Sequence, residues 1–272
     1  MNEIIGQDVA RKEISKVFDV FSASEGYIRP HFILTGQSGC GKSHIIKSLT
    51  KSKGLNFLEI NAAQITKEGT SGNSLSKALA PLENFKNKLT IVFCDEFDKL
   101  FISNNSNSSL ANATTIGVQN EFLKILESDT TSVFGDYGKY NVIDISKTLF
   151  VFAGAFNNEE HIDLDKLRNF GIKTEFLGRV GLIYNLQKLT LEDLYLILEN
   201  SDLLDAYLQL FPTVDRFEAI SAIKKFLADN YEHNDLGARM VHTLIHQYFI
   251  KGGKLGEKDA QEITFQKELT FD

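Results

Sequence analysis

The run GQSGCGKS, Gly36 to Ser43, has the spacing of a phosphate cradle. Its glycines let backbone N–H groups close around phosphate oxygens, and the start of a following helix adds positive potential. Lys42 reaches the outer phosphates, and the Ser43 hydroxyl suits a magnesium ion. Gly36, Gln37, Ser38, Gly39, Cys40, Gly41, Lys42, Ser43 and His44 are therefore the candidate nucleotide contacts. A cradle alone does not say what becomes of the nucleotide. The apolar run LTIVFC (Leu89 to Cys94) ends in Asp95 and Glu96; the first carboxylate can hold the metal or its water, and the second can polarise an attacking water. Negative charge growing on a transferred phosphoryl group calls for a cation. Arg179, after TEFLG, and Arg239, in LGAR at the head of a late helix, are the candidates.

These groups need a frame. HFILT (His31 to Thr35), NFLEI (Asn56 to Ile60), LTIVFC, TLFVFAGA (Thr148 to Ala155) and GLIYNL (Gly181 to Leu186) read as strands. They alternate with helical segments from Gly41 and near Ser74 to Ala80, which predicts a parallel α/β sheet. Before them, Ile14, Val17, Phe18 and Phe21 recur at helical spacing. The polar tract Ser103 to Thr115 reads as a loop, Val118 to Leu126 as a helix, and the runs flanking GDYGK as a hairpin. From Leu189 the chain reads as helices with a final strand, EITFQKELTF. Two domains are expected, residues 1–187 as an α/β nucleotide-binding domain and 188–272 as a helical lid.

The formal charge of −7 speaks against a broad nucleic-acid footprint. No run of about 18 apolar residues could span a bilayer and no secretion signal opens the chain, so a cytoplasmic protein with no membrane contact is expected. Cys40 and Cys94 sit inside probable site elements rather than in a disulfide framework. His242 and His246 lie four apart on one helix but lack a third ligand, so they are read as an ordinary helix face.

In this order the segments resemble the ClpX/HslU group of AAA+ ATPases over nearly the whole chain. IIGQDVARKEI resembles the group's N-terminal box beside the adenine, which adds Ile5 to the contacts. GQSGCGKS resembles its Walker A, IVFCDEFDKL its Walker B, GVQNEFLKILES the helix that follows, KTLFVFAGAF its sensor 1 strand, FGIKTEFLGR its arginine-finger segment and LGARMVHTLI its sensor 2 helix. The resemblance implies a P-loop NTPase fold with a small helical domain, and ATP and magnesium as ligands. It further implies catalytic roles for Lys42, Glu96 and, in trans, Arg179, a role in cis for Arg239, and a homohexameric ring that remodels proteins.

The departures bear on the substrate. Where the group's first pore loop carries an aromatic grip, this chain has ITKEGTSGN, with Thr70 and Ser71 in the gripping places. The stretch from Phe156 to Arg168 is short and lacks an Ile-Gly-Phe tripeptide, and the chain opens at the ATPase box. No stable partnership with a ClpP-type peptidase is therefore expected. Tyr137, Lys139 and Tyr140 occupy the second pore-loop position, and no polar side chain is evident for sensor 1. The expected client is an unidentified protein or adaptor. The alternative is a loader-like ATPase acting on nucleic acid, with Lys67, Thr70 and Ser71 meeting phosphates.

Overall fold

The computed structural model describes residues 4–66, 73–101, 109–135, 138–253 and 255. Its contacts divide the chain into two units. One comprises Gln7–Gln37 and Gly41–Gln187; the other comprises Met1–Gly6, Ser38–Cys40 and Lys188–Asp272.

The larger unit begins with α1 (Asp8–Ala23), whose buried face is Ala10, Ile14, Val17, Phe18 and Phe21. There follow β1 (Phe32–Thr35), α2 (Lys42–Ser52), β2 (Asn56–Asn61) and the short pair β3 (Ile65–Thr66) and β4 (Asn73–Ser74). Next come α3 (Leu75–Ala78), β5 (Thr90–Asp95), α4 (Ser109–Leu126), β6 (Thr130–Phe134), β7 (Tyr140–Asp144) and β8 (Thr148–Gly154). The unit closes with α5 (Leu164–Asn169), α6 (Thr174–Arg179) and β9 (Leu182–Asn185). The five-stranded sheet runs β2-β5-β8-β1-β9 and is parallel throughout. β1 and β8 are buried along their whole length, as a parallel sheet covered on both faces requires.

Two expectations are corrected. The helix near Ser74 to Ala80 is a four-residue turn, α3, followed by a 3₁₀ segment Ala80–Phe85 with Pro81 in its first turn. Proline lacks the N–H that would continue the α-helical ladder. The tract expected as a loop over Ser103 to Thr115 is helical from Ser109 onward, because α4 starts there rather than at Val118. A helix whose later turns bury Val118 and Phe122 propagates backwards at little cost, since nucleation is the expensive step. The hairpin forms from β6 and β7 in antiparallel register, Val133 facing Asn141 and Phe134 facing Tyr140. Thr70, Ser71, Lys67, Tyr137 and the segment EITFQKELTF lie outside the described residues.

The helical unit contains α7 (Leu191–Glu199), α8 (Asp202–Leu210), α9 (Arg216–Asn230) and α10 (Ala238–Ile250). Side chains terminate three of them: Thr190 and Asp193 form a reciprocal capping box on α7, and Ser201 and Asp215 cap α8 and α9. Leu194, Leu198, Leu204, Ile223, Leu227, Val241, Ile245 and Phe249 meet in its core. His246 Nδ1 lies 2.8 Å from the Tyr207 hydroxyl.

Candidate functional site

In a parallel α/β sheet, ligands gather where the strands end. β1 ends at Thr35 and passes directly into Gly36, whose φ is 149°. Gly41 precedes α2 at a φ of 101°, with nothing within 4 Å of where a Cβ would stand. A side chain there would be strained and would fill the cradle. Lys42 opens α2 and folds over the loop, its Nζ donating to the carbonyls of Gly36 (2.6 Å) and Gln37 (3.0 Å). An ammonium has a third N–H to offer. His44 is exposed on the first turn of α2, and Cys40 is buried.

β5 brings the acids to the same edge. Asp95 is its last residue, and Ser43 Oγ lies 3.4 Å from Asp95 Oδ2. A hydroxyl and a carboxylate converging from two elements form the hard-oxygen donor set that magnesium takes, so the residues present fit that ion. Glu96 is exposed and left-handed at φ 55°, ψ 31°. A non-glycine residue in this region carries strain of order 1 kcal/mol or more. Cys94, one residue before Asp95, is a fully buried thiol whose pKa is pushed well up by burial and by the Asp95 charge, so it stays protonated.

Three residues that the sequence did not single out complete this edge, and a fourth engages Arg179 away from it. Asn61, the last residue of β2, donates from Nδ2 to Glu96 Oε2 at 3.0 Å. The β2–β5 register, which pairs Asn61 with Asp95, brings it there. Asp98 is 1% exposed; its Oδ2 accepts from the Phe156 N–H at 3.1 Å, and a Cβ on Gly154 would stand 2.7 Å from its Oδ1. It thus locks the end of β8 and the left-handed turn Phe156–Asn158 to the Walker B segment. No polar sensor 1 side chain is legible in AGAF, and the structure ties this strand end down through Asp98 instead. Asn185 at the end of β9 accepts from Thr35 Oγ1 and from the Ile162 N–H, both at 2.7 Å, and so holds the strand that feeds the loop. The fourth, Glu127, pairs with Arg179: Arg179 Nη2 lies 2.8 Å from Glu127 Oε1. Arg179 is therefore engaged at the end of α4, and the structure does not place it on Lys42, Asp95 or Glu96.

The remaining candidates belong to the unit that contains Ser38–Cys40 and the C-terminal helices. There Arg239 Nη1 donates to Ser38 Oγ at 2.9 Å, and the Ala238 N–H donates to the Gly39 carbonyl at 3.0 Å. The approach is so close that a Cβ on Gly39 would lie 1.9 Å from the Leu236 carbonyl oxygen. Ile5 is half-buried in the same unit, next to Gly6, where any Cβ would meet the Asp193 carboxylate.

Among the described residues no group of three or more His, Cys, Asp or Glu could hold a metal by itself, and no helix is long and apolar enough to cross a membrane. The family described as "ATPase family associated with various cellular activities (AAA)" matches residues 32–176, from β1 through the first half of α6. The chain is also similar to the ATP-dependent protease ATPase subunit HslU of Rickettsia rickettsii (strain Sheila Smith), 31% identical over 207 residues, covering 73% of this chain and 43% of that protein. HslU of Borreliella burgdorferi is 32% identical over 203 residues, covering 66% of this chain and 42% of that protein. The chain thus spans under half the length of the curated relatives it matches. With a family match over more than half of the chain, carrying the phosphate loop and both acids of the strand edge, this chain belongs to the AAA ATPase family, within its ClpX/HslU group.

Proposed function

We propose that the chain is an ATP-hydrolysing motor that works as a ring and remodels or partly unfolds a protein or protein complex. The observation that carries the hydrolytic reading is the convergence of Lys42, Ser43, Asp95 and Glu96 at one end of the sheet, with Ser43 Oγ 3.4 Å from Asp95 Oδ2. In this reading the loop amides and Lys42 bind the triphosphate. Magnesium, held by Ser43 and Asp95, would neutralise phosphate charge. Glu96 takes the proton of the attacking water through Oε1, because Asn61 occupies Oε2. Arg239 contacts the nucleotide of its own subunit, and Arg179 that of the neighbour, where a cation of this kind contributes about 10³ to 10⁵ in rate.

The protein-directed reading draws on the group, since the relatives are named as ATPase subunits of a protease. Association with a ClpP-type peptidase is not part of the proposal, because the segment between Phe156 and Arg168 is short, a 3₁₀ turn followed by the start of α5. The test has two arms. Glu96→Gln should keep ATP affinity and lose turnover by about 10² or more; equal turnover removes Glu96 from its role. Wild-type turnover should then rise with an unfolded protein at constant salt, whereas a salt-sensitive rise with DNA would favour the nucleic-acid reading.

A further inference from the structure

We propose that Glu127 is a positioning residue for Arg179: its carboxylate fixes the guanidinium at the end of α6 so that the cation is presented to a neighbouring subunit in one orientation. The inference rests on the reading of Arg179 as that cation. The two side chains are 54% and 47% exposed and lie 2.8 Å apart. An ion pair so exposed adds little to stability. What it does supply is order. A free arginine samples many rotamers, whereas one edge of a planar guanidinium docked on a carboxylate leaves the other N–H groups directed outward for a phosphate.

Both partners stand on one aromatic cluster. Phe176, three residues before Arg179, stacks on Phe97 at 5.3 Å and meets Phe152 edge-on at 5.0 Å. Phe122, five residues before Glu127, meets the same two rings edge-on at 5.7 Å and 5.4 Å. All four rings are fully buried, and Phe97 directly follows Glu96. The corner that carries Glu127 is fastened from its other side. Glu127 and Ser128 finish α4 by donating to the Leu123 and Ile125 carbonyls at 3.1 Å and 3.3 Å. Arg29 then donates to the Ser128 carbonyl at 3.4 Å and to Asp129 Oδ1 at 2.9 Å. The place of the Arg179–Glu127 pair is thereby set relative to Glu96 of the same subunit.

The experiment is steady-state ATPase activity of the full chain with magnesium and ATP, for wild type, Glu127→Ala, Glu127→Gln, Arg179→Ala and the Arg179→Ala/Glu127→Ala double variant. Oligomeric state and melting are followed in parallel. Glu127→Ala is expected to lower kcat about fivefold with KM and assembly unchanged. Glu127→Gln keeps an acceptor oxygen and should stay within about twofold of wild type. In the Arg179→Ala background the loss of Glu127 should change nothing further, because the two act through one group. Wild-type kcat in Glu127→Ala, or the same fall with and without Arg179, overturns the proposal and leaves the arginine reading standing. Wild-type turnover in Arg179→Ala overturns the arginine reading itself. Should Glu127→Ala fail to melt cooperatively, Glu127→Ser is measured in its place against the same outcomes.

Discussion

The two ends of the central sheet are built from the same strands and used in opposite ways. At the amino ends, polar groups satisfy one another. His31 Nδ1 accepts from the Phe150 N–H at 3.0 Å, Thr90 Oγ1 donates to the Lys88 carbonyl at 3.0 Å, and Asn56 Nδ2 donates to the Leu89 carbonyl at 3.2 Å. His31, Thr90 and Thr148 are buried. At the carboxyl ends Lys42, Ser43 and Asp95 are half-buried and Glu96 is exposed and left-handed. Lys42 donates to the Gly36 and Gln37 carbonyls, Ser43 to Asp95, and Glu96 accepts from Asn61, which leaves an ammonium N–H and a carboxylate oxygen to offer. Polar residues at a strand end therefore do not by themselves make a site. What separates the ends is that these amino-end side chains bond the sheet's own backbone, whereas Glu96 stands exposed beside the phosphate loop.

That contrast can be broken in three places, taken from the largest expected effect to the smallest. Lys42→Ala removes a charge from the open end and should weaken ATP binding by about 100-fold or more in an equilibrium titration, with the melting temperature little changed. Normal affinity would mean that the open end is not the phosphate site. Asn61→Ala frees Glu96 Oε2 and should lower kcat about tenfold while ATP affinity holds, since orientation of the base is lost and the phosphate cradle is untouched. An equal loss of affinity would assign Asn61 to binding instead.

The third place is at the closed end and concerns stability alone. Burial, and secondly the charge of Arg29, lower the His31 pKa from 6.5 to about 3. Below pH 6.5 the unfolded chain takes up a proton that the folded chain refuses until about pH 3. Stability is therefore present above 6.5 and falls as pH drops through that window, by up to about 1.4 kcal/mol per pH unit. His31→Gln keeps an acceptor for the Phe150 N–H and should flatten the acid limb of the denaturation profile between pH 6 and 4, with nucleotide affinity unchanged. An unaltered limb would show that His31 is not the group that titrates.

How much of this was legible in the chain depended on how locally each feature is encoded. Gly36 to Ser43 and Asp95–Glu96 announce themselves because contiguous residues carry their chemistry. The strands were visible as short apolar runs, and the sheet followed from their alternation with helices. Asn61 was hidden because only the strand register sets it beside Glu96. Glu127 was hidden because it and Arg179 are brought together by the packing of Phe122 and Phe176. Asp98 left a faint signal, a third acid two residues past Glu96, but its burial against Gly154 and Phe156 could not be read from spacing. The start of α4 was missed because Ser, Asn and Thr favour loops locally, and packing of the later turns overrode that preference.

The central claim is that one reaction centre takes residues from two subunits, and mixing inactive variants tests it most directly. In the proposed mechanism, subunits carrying Arg179→Ala lack the donated cation and subunits carrying Glu96→Gln lack the base, so each alone should be nearly inert. Mixed together, they should regain turnover, because some interfaces then unite an intact Glu96 with an intact Arg179. A mixture no more active than its separate components, in assemblies verified to contain both, would contradict the account.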